Sequence, residues 1–187
     1  NLDAGSTLTM TLAGAGNVTV TTSDAEGDTS IDASDLTGAL DFTTTSTHDV
    51  TVTGGAGADA ITVGNSATGF TASVDGGAGA DTLIGGTSAD VLVGGTGNDS
   101  ITAGGGNDTI TAGEGNDTIV MGTTLTAGDS IDGGDGTDTM IAVFTSGNGD
   151  TQAIRPVLSN LETVQLTITD GDTGGDTTTL NLDQSTG

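Results

Sequence analysis

Apolar residues recur along this chain in two rhythms. Near the start they alternate with threonine: Leu8, Met10 and Leu12, then Val18 and Val20, then Val50 and Val52. A period of two predicts half-buried β-strands, interrupted at Gly14 to Asn17 and across the acidic stretch Ser23 to Ser34. Glu162 to Asp170 repeats the alternation, with Val164, Leu166 and Ile168 expected inward, and Ala153 to Leu161 is expected to hold a helical turn after Pro156. Between these flanks the rhythm changes to nine.

Five nonapeptides follow one another without a break: Gly76 to Ile84, Gly85 to Val93, Gly94 to Thr102, Ala103 to Thr111 and Ala112 to Val120. Two outliers share their pattern, Gly54 to Thr62 and Gly133 to Ile141. Each unit has glycines in its first half, Asp at position six and Ile, Leu or Met at position eight. Glycine supplies φ > 0 in a turn over positions one to six, and positions seven to nine make a three-residue strand with its middle side chain inward. Strands this short must stack to be stable, so each repeat adds one strand and one turn to a solenoid. If successive turns fall on opposite sides, Ile61, Leu83, Ile101, Ile119 and Met140 line one ladder, and Val74, Leu92, Ile110 and Ile131 the other. Two insertions fit this register. Extra residues in Met121 to Asp132 keep Asp129 at position six and Ile131 inward, and those in Val63 to Asp75 leave Ala72 where an Asp belongs.

The carboxylates carry the chemistry. Asp59, Asp81, Asp99, Asp117 and Asp138 stack on one side, and Asp90, Asp108 and Asp129 on the other, with neighbours about one strand spacing of ~4.8 Å apart. Two bare charges at that distance repel by about 3 kcal/mol at an effective dielectric of ~20, against ~1.5–3 kcal/mol gained per buried Ile or Leu. The stack is therefore expected not to fold without a cation. One carboxylate per turn among backbone carbonyls suits Ca²⁺, which takes six to eight oxygens in a relaxed geometry, whereas Mg²⁺ needs a tighter octahedron and zinc would want His or Cys.

These repeats resemble the calcium-binding repeat GGxGxDxUx of RTX proteins. The resemblance implies an all-β fold, a parallel β-roll flanked by further β-solenoid or β-sandwich strands. It also implies export by a type I system of a Gram-negative bacterium and folding outside the cell, with each position-six Asp shared between two calcium sites. Carried over by position, the main pairs are Asp81 with Asp99, Asp90 with Asp108 and Asp99 with Asp117. Pairs across insertions are Asp59 with Asp81, Asp108 with Asp129 and Asp117 with Asp138. Ser88 replaces the fourth-position Gly and is expected to strain its turn, while Ala103 and Ala112 replace the first. The organisation expected is an N-terminal β flank (1–53), the roll (54–141) and a C-terminal β flank (142–187). Ile31 to Leu40, Val50 to Gly55 and Leu158 to Val164 resemble segments of calcium-dependent S-layer proteins, which favours a surface array on the bacterial cell exterior over a secreted enzyme.

Composition then narrows the functions. One Lys or Arg stands against 26 Asp and Glu in 187 residues, a formal net charge of −25, which excludes nucleic acid and anionic membrane surfaces as partners. There is no cysteine and no apolar run near the ~18 residues of a membrane span. So acidic, apolar-poor and glycine-rich a chain would be disordered were its Gly and Asp not spaced. It begins without a signal segment, and Asn1 to Thr7 is echoed by Leu180 to Gly187, so an interior piece of a longer array is expected. No Cys nucleophile, HExxH or GxSxG motif is present, and the lone His48 reads as a surface histidine, so no enzyme is expected. Arg155 is expected to pair with Asp150 or Glu162. The clusters Asp24 to Asp28 and Asp170 to Asp176 are either extra calcium sites or solvated turns. Partners expected are further copies of the chain, in an oligomer or lattice with calcium-dependent contacts, and cell-surface glycan through parts outside this stretch. The alternative is a secretion and folding region of a larger exported adhesin or enzyme. A third reading, ice binding by outward Thr and Asn, rests on Thr96 with Asn98 and is broken by Gly105 and Glu114.

Overall fold

The computed structural model describes residues 7–23, 27–64, 69–146, 151–170 and 177–180. Numbered in chain order, one sheet contains β1 (Leu8–Gly14), β3 (Thr29–Leu36), β5 (Val50–Thr53), β7 (Ala72–Ala78), β9 (Val91–Thr96), β11 (Thr109–Gly115), β13 (Ser130–Gly136) and β16 (Val157–Ser159). The facing sheet contains β2 (Val18–Ser23), β4 (Leu40–Thr45), β6 (Ala60–Val63), β8 (Thr82–Ile84), β10 (Ser100–Thr102), β12 (Thr118–Gly122), β14 (Thr139–Ser146) and β17 (Thr163–Asp170). β15 (Thr151–Ile154) and β18 (Thr177–Leu180) pair with each other. All pairings are parallel, and the chain alternates between the two large sheets, which is a β-solenoid. It has about seven turns, more than the seven nonapeptides make at two per coil, because both sheets run on through the expected boundaries near 53 and 141.

The core is built on two long columns, each adding one side chain per turn, with Leu36, Leu40, Val63, Met121 and Phe144 among the residues buried beside them. One runs Met10, Ile31, Val52, Val74, Leu92, Ile110, Ile131, Leu158. The other runs Val20, Phe42, Ile61, Leu83, Ile101, Ile119, Met140, Val164. All nine residues expected inward in the repeats are buried. The columns close only partly at their ends, where Met10, Val20 and Val164 are half-buried.

Several expectations are corrected. The three-residue strand holds for β8 and β10, but in the other sheet β7, β11 and β13 span seven residues, because their glycines continue the ladder into the turn. Gly77, Gly95, Gly113 and Gly134 lie in register there with positive φ. The acidic interruption ends early: Thr29 begins β3, with Ile31, Ala33 and Leu36 buried behind outward Asp32 and Asp35. Instead of a helical turn after Pro156, β16 stacks Leu158 on Ile131, since a helix this short is marginal and β13 offers an open parallel edge to pair with. Leu166 and Ile168 align with buried Ala142 and Phe144, yet they are 37% and 57% exposed, because β17 is the last described strand of its sheet. The flanks continue the solenoid and form no sandwich among the described residues.

Candidate metal centre

Parallel stacking places every position-six residue on the one before it. On the side where the chain crosses from the first sheet to the second, the column is Leu40, Asp59, Asp81, Asp99, Asp117, Asp138 and Glu162. On the opposite side Ala72 precedes Asp90, Asp108 and Asp129, and Pro156 follows them. All eight aspartates predicted from the repeat are buried, at 3% exposure or less. Each has one carboxylate oxygen bonded to the turn before it. Asp81 N–H donates to Asp99 Oδ1 at 2.8 Å, Asp99 N–H to Asp117 Oδ1 at 2.8 Å, and Asp90 N–H to Asp108 Oδ1 at 3.0 Å. Ala72 N–H donates to Asp90 Oδ1 at 2.8 Å, so the missing carboxylate leaves the backbone pattern intact. These bonds offset part of the repulsion, since a buried carboxylate is stabilised by each N–H it accepts.

The second oxygen sets four turns apart from the rest, including that of Asp108, where Gly104 and Gly106 have positive φ but Oδ2 is not a buried orphan. Oδ2 of Asp81, Asp99, Asp117 and Asp138 is buried with no hydrogen-bond partner. In each of those turns the glycines at positions two and four have positive φ: Gly77 and Gly79, Gly95 and Gly97, Gly113 and Gly115, Gly134 and Gly136. In the turns of Asp59 and Asp90 these positions lack positive φ, and the second oxygen accepts the N–H of Gly55 or Gly86 at 2.8 Å. Asp129 Oδ2 accepts Thr126 N–H at 2.6 Å. Ser88 therefore causes no left-handed strain, contrary to expectation; its turn takes the other conformation. The four orphan oxygens fall on one side of the solenoid. The pairs Asp81 with Asp99, Asp99 with Asp117, and Asp117 with Asp138 are thus better prepared for a cation than Asp90 with Asp108.

The first glycine of the turn keeps space beside these oxygens. A Cβ on Gly76 would lie 2.5 Å from Asp81 Oδ2 and 2.6 Å from the Gly94 carbonyl oxygen, and one on Gly94 would meet Asp99 Oδ2 at 2.5 Å and the Ala112 carbonyl. Carboxylate and carbonyl oxygens of successive turns thus converge on one small cradle. Ala103 and Ala112 put a methyl at the same position of their own turns, fully buried.

Burial opposes charge here. Desolvation, helped by neighbouring carboxylates and opposed by the backbone N–H, pushes Asp81 up to about 6 and Asp108 up to about 7. Asp99, Asp117 and Asp138 are raised for the same leading reason.

Other candidates sort quickly. His48 is half-buried, its ring tilted 45° against Phe70 with centroids 5.4 Å apart, and its Nδ1 lies 3.3 Å from Thr47 Oγ1. Arg155 makes no ion pair among the described residues, and Asp150 lies outside them; Glu162 instead accepts Asp138 N–H at 2.6 Å. Both acidic clusters fall largely outside the described residues. Thr96 stacks between Ala78 and Glu114, so no threonine rank forms there. Two features were missed from sequence. Asn98 and Asn116 cap the following turn, accepting Asn116 N–H at 2.8 Å and Thr137 N–H at 2.9 Å. Glu162 ends the acidic column, signalled only by its place directly before an alternating strand.

The family described as the RTX calcium-binding nonapeptide repeat matches in four copies, at residues 46–67, 73–92, 84–119 and 126–142, just under half of the chain. The chain carries RTX calcium-binding nonapeptide repeats. No curated protein and no solved structure matches it. The donors present fit calcium: they are all oxygen, and the orphan carboxylate oxygens need a positive partner. Among the described residues no three His, Cys, Asp or Glu side chains gather around one point, so most ligands must come from backbone carbonyls.

Proposed function

We propose that this chain is a calcium-folded structural module of an exported bacterial surface protein, and that it takes part in an S-layer or similar array. The observation that carries the calcium part is the row of four buried, unpartnered carboxylate oxygens in consecutive turns on one side of the solenoid. Bound between those turns, calcium supplies the positive charge that the oxygens lack. Asp81, Asp99, Asp117 and Asp138 hold the ligand oxygens in place through their Oδ1 bonds or the strands they begin. Gly76, Gly94 and Gly133 keep space beside those of Asp81, Asp99 and Asp138. A chain that folds only with millimolar calcium, the extracellular range, stays unfolded in a calcium-poor cytoplasm, which suits type I export. The reading assigns the carboxylates to cation binding and not to proton transfer, so no catalytic activity is proposed.

Assembly draws support from the ends of the solenoid. β1, β2, β16 and β17 each have one strand neighbour among the described residues, and β17 exposes Leu166 and Ile168. Open edges of this kind are templates for pairing with another chain. Copies carrying −25 each repel unless cations stand between them, so contacts are expected to require calcium. Electron microscopy of the concentrated calcium-loaded protein is expected to show sheets or filaments that disperse in chelator. Strictly monomeric particles under those conditions would contradict the array and favour a secretion and folding region of a larger adhesin or enzyme.

A further inference from the structure

The acidic column does not stop where the nonapeptides stop. The last repeat match ends at residue 142, yet Glu162 occupies the next position six, in register through Thr139 with Thr163. It also makes the same backbone bond as the aspartates: Asp138 N–H donates to Glu162 Oε2 at 2.6 Å, as Asp117 N–H donates to Asp138 Oδ1 at 2.8 Å. Asp138 is fully buried and its Oδ2 has no partner. A Cβ on Gly133 would lie 2.7 Å from that oxygen and against the Asn160 carbonyl, which is the cradle seen at Gly76 with Asp81 and Gly94.

The segment that reaches Glu162 is otherwise unlike a repeat turn. Three residues, Asn160, Leu161 and Glu162, replace the six of Gly133 to Asp138. The shortcut requires Asn160 at φ 50°, the one non-glycine residue with positive φ among those described, and its side-chain amide holds Asp132 Oδ1 at 2.7 Å. Asn tolerates the left-handed region better than most residues. At the opposite end of the column the same position is Leu40, and across the roll it is Pro156, neither of which offers a charge.

We propose that Asp138, Glu162 and the Asn160 carbonyl form a further divalent-cation site that the nonapeptide pattern does not encode, closing the acidic column at its C-terminal end. The proposal rests on the calcium reading of the repeats. Glutamate suits a terminal position because its extra methylene lets the carboxylate reach back over a turn three residues shorter. Calcium is the ion expected, for the same all-oxygen reason as in the repeats.

The test counts calcium ions on the intact chain by native mass spectrometry. Glu162→Gln keeps an oxygen for Asp138 N–H and removes the charge, so it is expected to carry one ion fewer than the wild type with an unchanged circular dichroism spectrum. Asp99→Asn serves as the control within the repeats. If Glu162→Gln binds as many ions as the wild type while Asp99→Asn binds fewer, the terminal site is wrong and the repeat sites stand. If the wild type binds no calcium, both fall. Should Glu162→Gln fail to fold, the anomalous signal from crystals of the wild type grown in calcium decides: a peak between Asp138 and Glu162 is expected, and peaks confined to the repeat turns would overturn the proposal.

Discussion

Asp99 stands between two turns of the cation-ready kind, with the orphan oxygens of Asp81 and Asp117 in the turns before and after it. Removing its carboxylate takes ligands from two gaps at once. Asp99→Ala is therefore expected to raise the calcium concentration at the folding midpoint by at least about tenfold, measured by circular dichroism. Asp90→Ala, whose second oxygen is already satisfied by Gly86 N–H, is expected to move it less; the reverse order would contradict the setting apart of the four turns with orphan oxygens. Protons can replace calcium in part. Asp81 and Asp108 are raised from 3.8 to about 6 and about 7, so folding takes up protons between pH ~4 and ~7 and stability falls as pH rises through that window. Metal-free protein is expected to gain β structure on going from pH 7.5 to pH 5, while calcium affinity weakens over the same range. A metal-free spectrum unchanged between those values would show that the charges of the column are not what opposes folding.

At the level of the element, the repeats were legible because nine residues encode a strand, a turn and one inward side chain, and two such units make one coil. Position eight of every repeat therefore became a core residue. Ile101→Ala, in the middle of its column, is expected to cost about 2–5 kcal/mol in urea unfolding of the calcium-loaded protein. A loss below about 1 kcal/mol would mean that the column packs loosely. Gly97→Ala is expected to be damaging as well, since φ is 130° there and the added Cβ would strike the Gly79 carbonyl. The flanks were less legible. Phe42 is fully buried on β4, but the Thr43–Thr45 run beside it hides the alternation, and Ser23 to Ser34 looked like loop because outward Asp32 and Asp35 mask inward Ile31, Ala33 and Leu36. Leu158 and Glu162 belong to the columns only through their parallel partners, a relation between distant residues that local pattern does not express. The asymmetry between the two sides was equally hidden, since the turns of Asp81 and Asp108 share the Gly and Asp spacing and the positive-φ glycines, yet only Asp81 has an orphan Oδ2.

Across the whole molecule each coil touches mainly the coils before and after it, so stability accumulates from neighbour to neighbour. The same geometry brings like charges into two files. Six ions between the paired turns would reduce the formal charge from −25 to about −13, which links folding, compactness and the ability of copies to approach one another to one variable. The apolar core is thin in the repeats, where β8, β9, β10 and β11 each bury one large side chain, and the acidic file weakens it further when bare. The most direct test of this account is the far-ultraviolet circular dichroism spectrum of the chain at pH 7.5, recorded in chelator and then at millimolar calcium. A coil spectrum that converts to β structure on adding calcium, and reverts with fresh chelator, is the predicted result; a β spectrum fully retained in chelator would contradict it.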